Sequence, residues 1–257
     1  MAWLLPGGLC DSRNQRPEKA KGDTTVTTTQ RAQQQRIKVP SGALPSDGLS
    51  RFVRMGGWAA IVSGLALVVS LLMEWLVVPY ERLGHIEAYF TTAYHVSSGL
   101  RLLSIVLLLW ALIGIYGPQS RAAGTFGLWA FVVVFLGTAL IAANTWAEVF
   151  VYPTLAQVAP NAWSGSVMEV SSYLALGLTL SFPLFGIGLI LFGVATFRAG
   201  VYPRWAAVLL IISIPVTMFL DPTAGTFQES IGQILWGFAV AALGFYALRR
   251  APSSTST

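Results

Sequence analysis

The stretch HVSSGLRLLSIVLLLWALIGIY, residues 95–116, decides the fold class. A helix needs ~20 apolar residues to cross a hydrocarbon core of ~30 Å, and this run supplies them with Arg101 as its one permanently charged side chain. An arginine at a helix centre costs roughly 2.5–3.5 kcal/mol on insertion scales, whereas each Leu, Ile or Val returns about 0.3–0.6 kcal/mol. The ten aliphatic residues between Leu102 and Ile115 therefore carry the run into lipid despite its charge.

Working outward, five further runs meet or approach the same length. The six together fall at about 57–78, 95–116, 125–147, 173–197, 204–220 and 231–248. The composition agrees, with 54% hydrophobic and 11% charged residues and a mean hydropathy of +0.64, against roughly 25% charged in soluble domains. The predicted fold is an all-α polytopic bundle of six transmembrane helices over residues 51–250, its principal partner the lipid bilayer. Residues 1–50 are polar and basic, with almost no aromatic residue after Trp3. Such a segment buries too little apolar surface to offset its ordering entropy, so it is expected to be a disordered cytoplasmic tail. Residues 251–257 form a second, short tail.

Cations follow the joints. Arg51, Arg54, Arg121, Arg198, Arg204, Arg249 and Arg250 fall on one side, while the opposite joints hold Glu81, Glu87, Glu148, Glu169, Asp221 and Glu229 with Arg82. Positive joints stay in the cytoplasm, which predicts both termini inside. The net charge of +5 is thereby a matter of topology rather than of nucleic-acid binding. The single cysteine, Cys10, excludes an intrachain disulfide and a CxxC redox pair. Pro153, Pro160 and Asn161 predict that no continuous helix runs through the second outer joint.

Charged residues inside membrane helices mark function by default. Glu74, Arg101 and Glu148 come out at similar depth on the first three helices at 1.5 Å per residue. Asn144 precedes Glu148 by one helical turn, and His95 and Ser98 roughly continue the Arg101 face outward. The candidate site is thus Glu74, His95, Arg101, Asn144 and Glu148 near the outer leaflet. It has two readings, a structural ion pair with Arg101 reaching toward the headgroups, or a pocket for a small anionic or zwitterionic ligand or a proton. Gly177 and Ser181 are spaced for close helix packing, within the packing vocabulary of a homo- or hetero-oligomer as well as of one chain. No catalytic residue, metal set or cofactor motif stands out: HExxH spacing, a Walker loop and a TVGYG filter are all missing. Transporter, sensor, intramembrane enzyme and non-catalytic subunit remain the alternatives, with an enzyme the less favoured.

The joint Phe197-Arg-Ala-Gly-Val-Tyr-Pro-Arg-Trp-Ala-Ala-Val-Leu-Leu210, with Gly56-Gly-Trp-Ala-Ala60 at the first helix, resembles the multi-pass membrane proteins of unknown function common in actinobacteria. The resemblance covers the helical region and implies a bacterial plasma (inner) membrane, with no activity to carry over.

Overall fold

A computed structural model describes residues 46–78, 87–158, 172–219 and 226–250. The expected tail through residue 45 lies outside the described residues, as do the joints carrying His85, Pro160, Asn161 and Asp221. Among the described residues all regular structure is helical: α1 Ser46–Leu76, α2 Thr92–Val158, α3 Ser172–Ala199, α4 Arg204–Phe219 and α5 Thr226–Arg250. Helix α1 thus begins inside the segment assigned to the tail. Four of these helices, all but α4, are long and apolar enough to cross a membrane. The 16 residues of α4 reach only about 24 Å at 1.5 Å per residue.

Helix α2 is two helices in one. Its 67 residues would stretch about 100 Å if straight, yet the Tyr94 hydroxyl donates to the Glu148 carbonyl at 3.0 Å. The chain folds back at Gly124, where φ 59° and ψ −156° leave the helical region for one that essentially glycine alone occupies. Tyr116 and Phe131 stack across the bend, ring centroids 4.6 Å apart. The first arm is residues 92–123 and the second is residues 125–158. The second arm runs on past Pro153 to Val158, eleven residues beyond the predicted end of the third span, and the rest of the second outer joint, where no continuous helix is expected, lies outside the described residues. A proline inside a helix removes one donor, here the one that would reach the Val149 carbonyl, and the helix continues without it.

With the bend counted, six helical segments pack antiparallel in chain order, and α5 returns to α1, closing a ring. Small residues set the spacing. Along α1, Gly56, Ser63 and Ser70 recur every seven residues and meet a matching series on the first arm. Gly56 abuts Gly114 backbone to backbone. Ser63 and Ser104 exchange hydrogen bonds, each hydroxyl donating to the other's carbonyl at 2.9 and 2.8 Å, and Ser70 donates to Ser97 at 2.8 Å. Such bonds contribute about 0.6 kcal/mol each in membrane helices, so their main effect is to fix register while the backbones sit close. A second seam holds α5: a Cβ on Gly64 would strike the Gly237 carbonyl, and one on Gly244 would strike Ala60 and the Gly57 carbonyl.

Polarity is arranged inside out. Ser63, Ser70, Ser104, Thr138, Ser181 and Thr196 are fully buried, whereas Trp58, Val62, Leu65, Val69, Leu72 and Leu76 form an exposed stripe down α1. Trp129, Leu136 and Leu140 continue such a surface on the second arm. Contiguous apolar surface on this scale needs an apolar partner, and small polar residues at helix contacts are the packing pattern of membrane interiors.

One end of the ring is basic. Gly57 lies against Leu248, Gln119 donates to Thr196 at 3.1 Å, and the Tyr202 hydroxyl donates to the Ile115 carbonyl at 3.0 Å. These contacts gather Arg54, Arg121, Arg198, Arg204, Arg249 and Arg250 at the same end. Arg198 sits 5.6 Å over the Phe126 ring and Arg249 4.2 Å over Phe245, where the aromatic quadrupole favours a cation.

Candidate functional site

The other half of the ring holds Glu74 and Glu148 together with Arg101. Arg101, on the first arm, lies about 20 Å along the helix axis from the Gly114 crossing at 1.5 Å per residue. Its Nη2 is paired with Glu74 Oε2 of α1, and its Nη1 stands 3.6 Å from Glu148 Oε2 of the second arm. The side chains of Arg101 and Glu74 are about a fifth exposed and that of Glu148 just under a third. One guanidinium therefore serves two carboxylates, and Arg101 Nε is buried without a hydrogen-bond partner among the described residues. Tyr94 anchors this group by its bond to the Glu148 carbonyl and by an edge contact with Tyr89, centroids 4.9 Å apart.

Beside the trio lies a cavity of about 300 Å³ to which all six segments contribute. Leu67 faces it from α1, Arg101 and Ile105 from the first arm, and Ile141, Asn144, Thr145 and Glu148 from the second. Phe182, Phe185 and Gly186 come from α3, Ile214, Thr217 and Met218 from α4, and Gln233 and Trp236 from α5. Phe185 and Trp236 meet edge to face at 5.7 Å. Phe182 and Met218 are also among the exposed apolar side chains, so the cavity reaches the surface where α3 and α4 meet. Volume and lining both fall within the usual range of small-molecule sites, which are mostly apolar with a few placed polar groups.

The five residues singled out in the sequence divide. Glu74, Arg101 and Glu148 come together. Asn144 donates to Ser181 on α3 and shares the cavity wall with Arg101 and Glu148. His95 does not join them: it is exposed, its ring packs on Tyr94 at 5.9 Å, and it is absent from the cavity wall. The physical reason is angular. At about 100° per residue, a residue six positions back sits about 120° around the helix from Arg101, while Ile105, four positions on, stays within about 40°. Ser98 is buried, its hydroxyl spent on the Tyr94 carbonyl at 2.7 Å. Of the predicted packing pair on α3, Ser181 is buried, but a Cβ on Gly177 would meet nothing within 4 Å.

Sequence reasoning missed Gln233 and Trp236 on α5 and the aromatic pair Phe182 and Phe185. Their only signal was a glutamine inside an apolar span. Among the described residues no group of three or more His, Cys, Asp and Glu side chains is placed to hold a metal ion.

These features define a class, a helical membrane protein with a small cavity beside a cluster of one arginine and two glutamates. The chain matches no family model, no curated protein and no solved structure.

Proposed function

We propose that this is a six-span protein of a bacterial plasma membrane, with both termini cytoplasmic, whose central cavity binds a small solute as part of transport or sensing. The observation that carries the reading is the cavity itself, which every segment of the ring helps to line and which has Arg101 and Glu148 on its wall. A charge cluster needed only for packing would be sealed by its neighbours. This one borders about 300 Å³ of space beside Asn144, Thr145, Thr217 and Gln233. The six-span topology and orientation rest on the hairpin at Gly124 and on the arginines gathered at one end, since positive joints are retained in the cytoplasm. On that orientation the cavity lies in the outer half of the bilayer.

Thermal unfolding of the detergent-solubilised chain against a panel of small metabolites tests the reading, with Arg101→Ala, Glu74→Ala and the double variant alongside. A compound that stabilises the parent and loses its effect in a folded Arg101→Ala variant supports a binding site. Singles that only destabilise, coupled in the double variant and indifferent to every compound, would reduce the trio to a structural ion cluster.

A further inference from the structure

Arg101 by itself suggests an anionic ligand. The whole site does not. Two carboxylates face one guanidinium, so the trio carries one negative charge in excess when all three groups are ionised. Glu74 takes the nearer side of Arg101 and stays off the cavity wall, which leaves Glu148 on the wall with the weaker hold on the guanidinium. An uncompensated charge within a bilayer is costly. A cation brought into the cavity would offset it.

Acceptor oxygens on the wall agree, and they are independent of the charge count. The Thr145 hydroxyl donates to the Ile141 carbonyl and the Thr217 hydroxyl to the Ser213 carbonyl, both at 2.9 Å. Asn144 directs its amide N–H to Ser181. A hydroxyl whose proton is committed still has lone pairs, and an amide whose N–H is committed still has its carbonyl oxygen. These three side chains and Glu148 therefore offer the cavity acceptor oxygens, alongside N–H groups carried by Asn144, Gln233 and Trp236. The remaining walls at Phe182, Phe185 and Trp236 are aromatic, surfaces that attract a cation through their faces and an apolar body through contact. The unpartnered Arg101 Nε needs one acceptor oxygen, which a water molecule or a neutral hydroxyl supplies without bringing a second charge.

We infer that the cavity takes a small organic cation, a protonated amine on an apolar body, with the ammonium at Glu148 and the body against the wall formed by Phe185 and Trp236. The inference rests on the cavity being a ligand site and adds to it the sign of the ligand's charge. The titratable groups facing Glu148 among the described residues are Arg101 and Glu74 from the neighbouring segments, Tyr94 at its backbone and Tyr152 one turn on. The cavity walls from α3, α4 and α5 contribute neutral side chains only.

Three probes with one body and different charges separate the two statements: phenethylamine, phenylacetate and phenylalanine, each added to the full chain in detergent micelles at pH 7 while thermal unfolding is followed. Phenethylamine at ten times its Kd is expected to raise the unfolding temperature by about 3–5 °C, with no shift from phenylacetate. Glu148→Gln should weaken the amine response at least tenfold and Glu148→Asp should keep it, which guards against a variant that merely folds poorly. Thr145→Phe, which fills the cavity, should abolish it. Stabilisation by phenylacetate or phenylalanine equal to that by the amine overturns the charge assignment while leaving the site standing. An amine response that survives both Glu148→Gln and Thr145→Phe overturns it too. No shift from any probe at saturating concentration counts against the cavity as a ligand site altogether.

Discussion

Gly124 divides α2 into its two arms, and replacing it with alanine isolates one physical quantity. At φ 59° and ψ −156° the residue occupies a region that side chains with a Cβ avoid, at a cost of about 1–3 kcal/mol. An added Cβ would meet no atom within 4 Å, so the whole cost is conformational. Gly99 is the matched control: it lies in the first arm in helical conformation, and its Cβ would also meet nothing within 4 Å. Alanine there should be neutral or stabilising by up to ~1 kcal/mol, since glycine is the weaker helix former. The two variants are expected to differ by about 1–4 kcal/mol, read by titrating the detergent-solubilised protein with SDS and following far-UV circular dichroism. Because the bend returns Glu148 to Arg101 and Tyr94, Gly124→Ala should also weaken any ligand response. Equal stability of Gly124→Ala and Gly99→Ala would refute the hairpin as described.

The seam between α1 and the first arm gives a second test: Gly56→Ala places a Cβ against the Gly114 backbone, and overpacking of that kind should cost about 1–3 kcal/mol in the same SDS titration. Arg101→Met leaves two carboxylates together, and breaking a buried ion pair costs about 3–5 kcal/mol when fully enclosed. At the partial exposure seen here about 1–3 kcal/mol is expected, with much of the loss recovered by adding Glu74→Gln and Glu148→Gln. Tyr202, in the joint between α3 and α4, is buried and donates to Ile115, so Tyr202→Phe should cost about 1 kcal/mol. Burial raises the Tyr202 phenol above its ordinary value, with Arg250 opposing. The folded state therefore holds this proton more tightly than the unfolded chain. Its contribution is complete below the unfolded value near pH 10 and is lost as the pH rises toward the folded one. Unfolding titrations between pH 8 and 11 should show that loss in the parent and a flatter profile in Tyr202→Phe.

Much of this architecture is legible in the sequence, for a reason that also explains what is not. Helix rise is fixed, so counting residues from the ends of apolar runs puts Glu74, Arg101 and Glu148 at one depth, and antiparallel packing then makes them neighbours. Direction around the helix is harder to judge than depth, and His95 shows it, sharing the depth of the outer region while pointing away from the cavity. Pro153 shows that a proline alone does not mark a helix end, since it removes a single donor and the second arm continues to Val158. The seven-residue series of Gly56, Ser63 and Ser70, answered by Gly114, Ser104 and Ser97, was present in the sequence as a packing signal and outranks the Gly177 and Ser181 pair. The cavity could not be read in advance. It exists because α5 closes onto α1, and that closure brings Gln233 and Trp236 opposite residues more than ninety positions earlier in the chain.

The central claim is that an open, polar-edged cavity sits inside the ring, and thiol labelling tests it most directly. With Cys10→Ser as background, Thr145→Cys places a thiol on the cavity wall and Leu112→Cys places one in the sealed core, since Thr145 lines the cavity while Leu112 is fully buried away from it. A small methanethiosulfonate ethylammonium reagent applied to the folded protein is expected to modify Thr145→Cys readily and leave Leu112→Cys untouched. Two thiols that are equally inert would contradict the cavity, and with it the proposed function.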